Sequence, residues 1–153
     1  MNTFRSYLAE LFEKPWILHD TNETRGDDGL GVRYIYADPK APEDYTKYLM
    51  VIFQEFGYDG EWELLFHRGG SFTARGQGDA GAIFASVLDA TKKFLHKHKP
   101  EFITFRASKG KSGSREKAYA ALVKRFASQY GYRVDQSDSD QIESHWKMKR
   151  VSV

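Results

Sequence analysis

Apolar positions along this chain switch between two periods. Near the start, Phe4, Leu8, Leu11 and Phe12 recur at helical spacing, Thr3 stands where a cap would, and Pro15 stops the run. Trp16, Ile17 and Leu18 follow as a short apolar anchor, and the polar stretch from His19 to Gly29 reads as a mobile loop. The period then becomes two. Val32 to Ala37 sets Val32, Tyr34 and Tyr36 against Arg33 and Ile35, and Tyr48 to Phe56 is almost continuously apolar, as in a strand covered on both faces. Past the turn Gly57-Tyr58-Asp59-Gly60, Glu61 to His67 sets Trp62, Leu64 and Phe66 against Glu61, Glu63, Leu65 and His67. These runs predict an antiparallel meander of three strands. Gly69-Gly70 bends the chain, and Ser71 to Ala74 extends the last strand after a bulge.

From Asp79 the helical period returns. Ile83, Phe84, Val87, Leu88, Thr91, Phe94 and Leu95 form one stripe between Asp79 and Lys99, closed by Pro100. Glu101 to Ala107 reads as a short buried strand, and Ser108 to Gly113 as a Lys, Gly and Ser loop. A second helix spans Ser114 to Tyr130, with Ala118, Tyr119, Leu122, Val123 and Phe126 on one face and Gly131 just past its end. Tyr132 to Asp135 and His145 to Val151 are two final strands around an acidic loop, Ser137 to Asp140. The predicted order is helix, three strands, helix, strand, helix, two strands. That order gives an α/β fold (α+β in arrangement) with a mixed sheet and, as the simplest packing, helices on both faces.

Composition narrows the picture. A chain of 153 residues suits one domain over its whole length, and 41% hydrophobic residues supply a core. The absence of cysteine excludes disulfides and thiolate metal sites and fits a reducing cytoplasm. Neither a signal peptide nor a bilayer-spanning run is expected, so no membrane partner is. A net charge of +2 argues against nucleic acid as the main partner. Lys92, Lys93, His96, Lys97, His98 and Lys99 then read as a solvated helix end favoured by the dipole. His96 and His98 do not share a helix face, and no metal site is expected. Tyr34, Tyr36, Tyr45 and Tyr48 read as strand packing rather than a platform for bases.

The string with chemistry in it runs Ser71-Phe72-Thr73-Ala74-Arg75-Gly76-Gln77-Gly78-Asp79-Ala80 and joins a strand to a long helix. The first turn of a helix leaves backbone N–H groups without partners and attracts an anion, and glycines let a ligand approach the backbone. Together these form a pyrophosphate cradle, to which Arg75 adds a charge-assisted contact. The bland alternative is a plain strand-to-helix turn.

Arg75, Gly78 and Ala80 match the Arg/Gln-x-x-Gly-x-Gly/Ala motif of the GNAT superfamily of acyl-CoA N-acyltransferases, which the chain resembles over roughly its last 90 residues. Gly131-Tyr132 is similar to the family's Gly-Phe that opens the sixth strand, and Met148 falls where a methionine often sits near the family's C-terminal end. The resemblance implies a GNAT-like fold, acetyl-CoA or another acyl-CoA as co-substrate, and an amine as acceptor. It implies that Thr73, Ala74, Arg75, Gly76, Gln77, Gly78, Asp79 and Ala80 hold the cofactor, with Lys111 and Ser112 near its 3′-phosphate or pantetheine arm. That second loop equally fits a solvated segment with Ser112 or Ser114 capping the next helix. Gly70-Ser71-Phe72, Gly78-Asp79-Ala80 and Ser114-Arg115 also resemble small phage-encoded proteins of unassigned role, which would place the chain in a host cytoplasm.

Direct acyl transfer needs a deprotonated amine, a polarised carbonyl and two reactants held close. Glu63 and His67, on one strand face, are the candidate bases; with Glu61 they also fit a partly solvated face. The family's usual tyrosine position, four residues before the Gly-Phe, holds Ala127 here. Tyr119 stands seven residues after Ser112 and is the alternative acid, unless it belongs to the apolar stripe of its helix. With that tyrosine missing, a catalytically inactive module that binds a protein partner is the competing reading.

Overall fold

The computed structural model describes residues 14–27, 29–56, 60–68, 80–108, 114–139 and 143–151. The candidate first helix, the Ser71–Asp79 string and the Lys109–Gly113 loop lie outside them, as does most of the Gly57–Gly60 turn. Seven strands form one sheet: β1 (Ile17–Gly26), β2 (Gly29–Ala37), β3 (Leu49–Phe56), β4 (Glu61–Arg68), β5 (Phe102–Ser108), β6 (Tyr132–Ser139) and β7 (Glu143–Arg150). Helix α1 (Ala80–Lys97) joins β4 to β5, and α2 (Ser114–Gln129) joins β5 to β6. The strand order is β1-β2-β3-β4-β5-β7-β6. Every neighbouring pair is antiparallel except β4 and β5, so the sheet is mixed, as the sequence predicts.

The polar stretch from His19 is not a loop. It is most of β1, an edge strand paired with β2 from Ile17↔Ala37 to Gly26↔Gly29. Edge strands are held by backbone hydrogen bonds, and here nearly all the side chains remain exposed. Nothing in such a strand requires apolar alternation, so the sequence carries no trace of it. At the hairpin end Gly29 has φ 113°, and a Cβ there would stand 2.9 Å from the Glu55 carboxylate. The meander therefore has four strands, not three. At the other edge β6 runs on through Ser137 to Ser139 for the same reason, where a short strand and an acidic loop are predicted.

The two described helices, α1 and α2, share one face of the sheet. Phe94 of α1 stacks on Phe53 of β3 at 4.0 Å and meets Trp62 of β4 edge-on at 5.0 Å. Phe126 of α2 meets Phe105 of β5 at 5.7 Å. Phe53 lies opposite Leu64, and Trp62 opposite Ile103, so all these side chains point to the same side. This is the main core: Val32, Tyr34, Tyr36, Leu49, Val51 and Phe53 are buried below one layer of helix. The opposite face carries Arg33, Gln54, Glu61, Glu63, Thr104 and Arg106, of which only Arg33 and Arg106 are classed as exposed and the rest half-buried.

The α1 stripe packs as its spacing predicts, with Ile83, Phe84, Val87, Thr91 and Phe94 buried. Its two buried hydroxyls bond back along the helix, Ser86 to the Ala82 carbonyl and Thr91 to the Val87 carbonyl. Ser86 Oγ also accepts from the backbone N–H of Trp16 at 2.8 Å, which ties the chain entering β1 to the helix. Gly131, at φ 76°, ends α2 in the left-handed conformation of a helix cap. The basic end of α1 has a structural role. Lys97 and His98 converge on Glu23 of β1 at 2.6 and 3.2 Å, and Lys93 pairs with Asp89 one turn back. Tyr34 and Tyr36 are core residues, and burial pushes the Tyr34 hydroxyl up to about 12; Tyr45 is exposed.

Candidate active site

The feature that organises the site is a fork in the sheet. β4 and β5 pair in parallel only at Glu61↔Phe102, Trp62↔Ile103 and Glu63↔Thr104. Both strands continue well past that point, β4 to Arg68 against β3 and β5 to Ser108 against β7. Beyond Glu63 the two are no longer partners, so the sheet opens between them towards their C-terminal ends. In open α/β sheets that end of the strands, where neighbouring connections diverge, is where ligands bind.

Glu63 stands at the apex of the fork, at the last paired position. Its Oε1 accepts from Nη2 of Arg106, from the first turn of pleat beyond the fork on β5, at 2.9 Å. Two residues earlier Glu61 accepts from Lys147 Nζ of β7 at 2.5 Å, and the same ammonium lies 4.4 Å from the centre of the Phe102 ring. These side chains, with Thr104, His145 and Asp138, line a groove of ≈ 560 Å³ on the face opposite α1 and α2. Phe56 adds apolar wall, while the rings of Phe105 and Trp146 turn to the helix side of the sheet. The groove reaches the fork at Glu63, Thr104 and Phe105, so a molecule in it and a molecule in the fork would meet there.

His67 shares the face of Glu63 but sits farther along the open half of β4. Four residues of strand separate them by roughly 13 Å, so the two cannot act on one proton. Burial, and then the positive charge of Arg33, hold the His67 imidazole below its ordinary range, so it is neutral near pH 7. A depressed histidine lets the unfolded chain take up its proton first. The stability it contributes is thus complete above about pH 6.5 and lost as pH falls. In urea titrations the His67→Gln variant should lose less midpoint between pH 7.5 and 5.5 than the unchanged chain; equal losses would show that His67 does not titrate this way.

The other predicted site residues stand as follows. Tyr119 lies within α2, with its side chain outside the described residues, and Ala80 is the first residue of α1. Thr73, Ala74, Arg75, Gly76, Gln77, Gly78, Asp79, Lys111 and Ser112 lie outside the described residues. The sequence reading missed Arg106, Lys147, His145 and Asp138. Their strands do alternate, Arg106 with Thr104 and His145 with Lys147, which marks a polar face. Which strands adjoin is set by the β5-β7-β6 order, and no local pattern encodes that. Among the described residues no group of three or more His, Asp or Glu could hold a metal ion, and no helix is long and apolar enough to cross a membrane.

A seven-stranded mixed sheet, forked at the single parallel junction among the described residues and carrying two crossover helices, is consistent with a GNAT-like fold. A crystal structure of a protein from Sphaerobacter thermophilus DSM 20745, provisionally described as an acetyltransferase, aligns with 97% of this chain and 87% of its own, at TM-score 0.50 and 14% identity. At that identity the likeness is one of fold. No family model and no curated protein matches the chain.

Proposed function

We propose that this chain is an acyl-CoA-dependent N-acyltransferase that moves an acyl group directly from the CoA thioester to an amine. The observation that carries this reading is the fork: parallel pairing that stops at Glu63↔Thr104 while both strands run on. In an extended strand alternate N–H groups point to opposite sides. Past Glu63, those of β4 that point away from β3 are aimed into the opening, where one can polarise a thioester carbonyl. The chain leaves the open end of β4 at Arg68 and starts α1 at Ala80. The Arg75-Gly76-Gln77-Gly78 string thus connects the fork to a helix N-terminus, the kind of position that takes a pyrophosphate. Lys111 and Ser112 follow β5, the other arm of the fork.

In the proposed reaction the acceptor ammonium gives a proton to Glu63, directly or through water. The amine nitrogen attacks the thioester carbonyl carbon, the C–N bond forms and the C–S bond breaks. The nitrogen sheds its second proton to solvent, and the departing thiolate takes one, for which Tyr119 is the proposed donor, its phenolate regaining a proton from solvent. Arg106 fixes the Glu63 carboxylate through Oε1 and so sets the direction in which it can act.

Acetyl-CoA at 100 times its Kd should add about 2.7 kcal/mol to stability. For a chain of this size that corresponds to a rise in Tm of roughly 5–11 °C. The rise should vanish in Gly78→Trp, where an indole replaces the space a diphosphate would take. No shift with millimolar acetyl-CoA or CoA would end this reading. Release of free thiol that depends on an added amine would refute the inactive, protein-binding alternative.

A further inference from the structure

We infer that the groove beside the fork selects a zwitterionic acceptor, an α-amino acid with an apolar side chain. The inference rests on the acyltransferase reading for its word acceptor, but the groove's preference stands on its own charges. Two acids and two bases alternate across its floor, Glu61 with Lys147 at 2.5 Å and Glu63 with Arg106 at 2.9 Å. Asp138 and His145, opposite each other on β6 and β7, line its far side.

This arrangement discriminates by charge. A simple cation entering the groove is drawn to Glu61, Glu63 and Asp138 and repelled by Lys147 and Arg106. A simple anion meets the reverse. A molecule with an ammonium and a carboxylate a few ångströms apart satisfies both sets at once, and desolvates neither sign without a partner. The existing pairs do not prevent this. Arg106 keeps contact with water, and an ion pair of that kind contributes only about 0–1 kcal/mol, so its guanidinium can turn to a ligand at small cost. The Arg106 side chain is 51% exposed, while Glu61, Glu63 and Lys147 are held at 20–24%, which keeps the pattern fixed where a ligand would read it.

Size and apolar lining point the same way. A groove of ≈ 560 Å³ suits a small metabolite. Phe56, opposite Glu61 on the same face, offers aromatic surface next to the charges. Glu63, at the fork apex, is the carboxylate that would receive the ammonium, which brings the amino nitrogen to the place where a thioester carbonyl would lie.

The test compares three probes that differ by one charge: L-phenylalanine, phenethylamine without the carboxylate, and 3-phenylpropionate without the ammonium. Calorimetric titration of the full chain, without CoA, should give L-phenylalanine at least a tenfold lower Kd than either analogue. Glu63→Gln should erase the advantage over phenylpropionate, and Arg106→Gln together with Lys147→Gln the advantage over phenethylamine. Melting curves of each variant verify that it folds. Equal or tighter binding of phenethylamine or phenylpropionate would overturn the inference, as would no binding of any of the three. Turnover of acetyl-CoA with a polyamine but not with L-phenylalanine would overturn it and leave the acyltransferase reading standing. Selective binding of L-phenylalanine by a chain that acetyl-CoA does not stabilise would support the groove's preference and end that reading instead.

Discussion

Replacing Phe94 by Ala should destabilise the chain by about 3–5 kcal/mol, the range for a fully buried aromatic. In a chain of this length that is a fall in Tm of roughly 6–20 °C. Phe94 has no exposed surface and joins three elements. Its ring stacks on Phe53 at 4.0 Å and 7°, meets Trp62 at 5.0 Å and lies 5.1 Å from His98. Truncation leaves a void between the helix and the two central strands that rigid strands cannot close, so loss of contact adds to loss of burial. His98 would also lose the ring that supports it beside Glu23, loosening the tie between α1 and β1. Phe94→Leu, which keeps most of the volume, should recover more than half of the loss. Chemical denaturation of the two variants checks this, and a loss under about 1 kcal/mol for the alanine variant would show that α1 does not anchor the sheet here.

Glu63→Gln should lower kcat for acyl transfer by about 10²–10⁴-fold, the usual contribution of a positioned general base. The amide is close to isosteric and can still accept from Arg106 through its oxygen, so the fork and the ion-pair geometry have little cause to change. What it cannot do is take the proton from the attacking amine. KM for acetyl-CoA should therefore stay within a few-fold while kcat falls. A purely structural role would instead lower Tm along with kcat, whereas loss of the base lowers kcat at unchanged Tm. If kcat stays within threefold of the unchanged chain, Glu63 is not the base. His67, neutral near pH 7 and farther along β4, then becomes the group to test.

Much of the fold is legible in the residues because burial writes itself into the sequence. The α1 stripe, from Ile83 to Phe94, is spaced for one helix face and is buried on that face. Val32, Tyr34 and Tyr36 alternate and are all in the core. Gly131 ends α2 where a left-handed residue is required. Where a segment is held by backbone pairing instead, the side chains are left unconstrained and the signal fades. That is why β1, with most of its side chains in water, reads as a loop, and why β6 reads too short.

The site divides along the same line. The sequence by itself determined the strand carrying Glu63 and His67, the glycine-rich string between that strand and α1, and the mixed α/β character of the chain. The strand rise alone already sets Glu63 and His67 roughly 13 Å apart. Only the tertiary structure decided that both helices cover one face, that Arg106 and Lys147 come from β5 and β7 to meet Glu63 and Glu61, and that parallel pairing stops at Glu63↔Thr104. The physical reason is range. Periodicity, caps and turns act between residues a few positions apart, whereas the groove is assembled from strands 43 and 86 residues apart in the chain, whose order in the sheet is fixed by how the whole core packs.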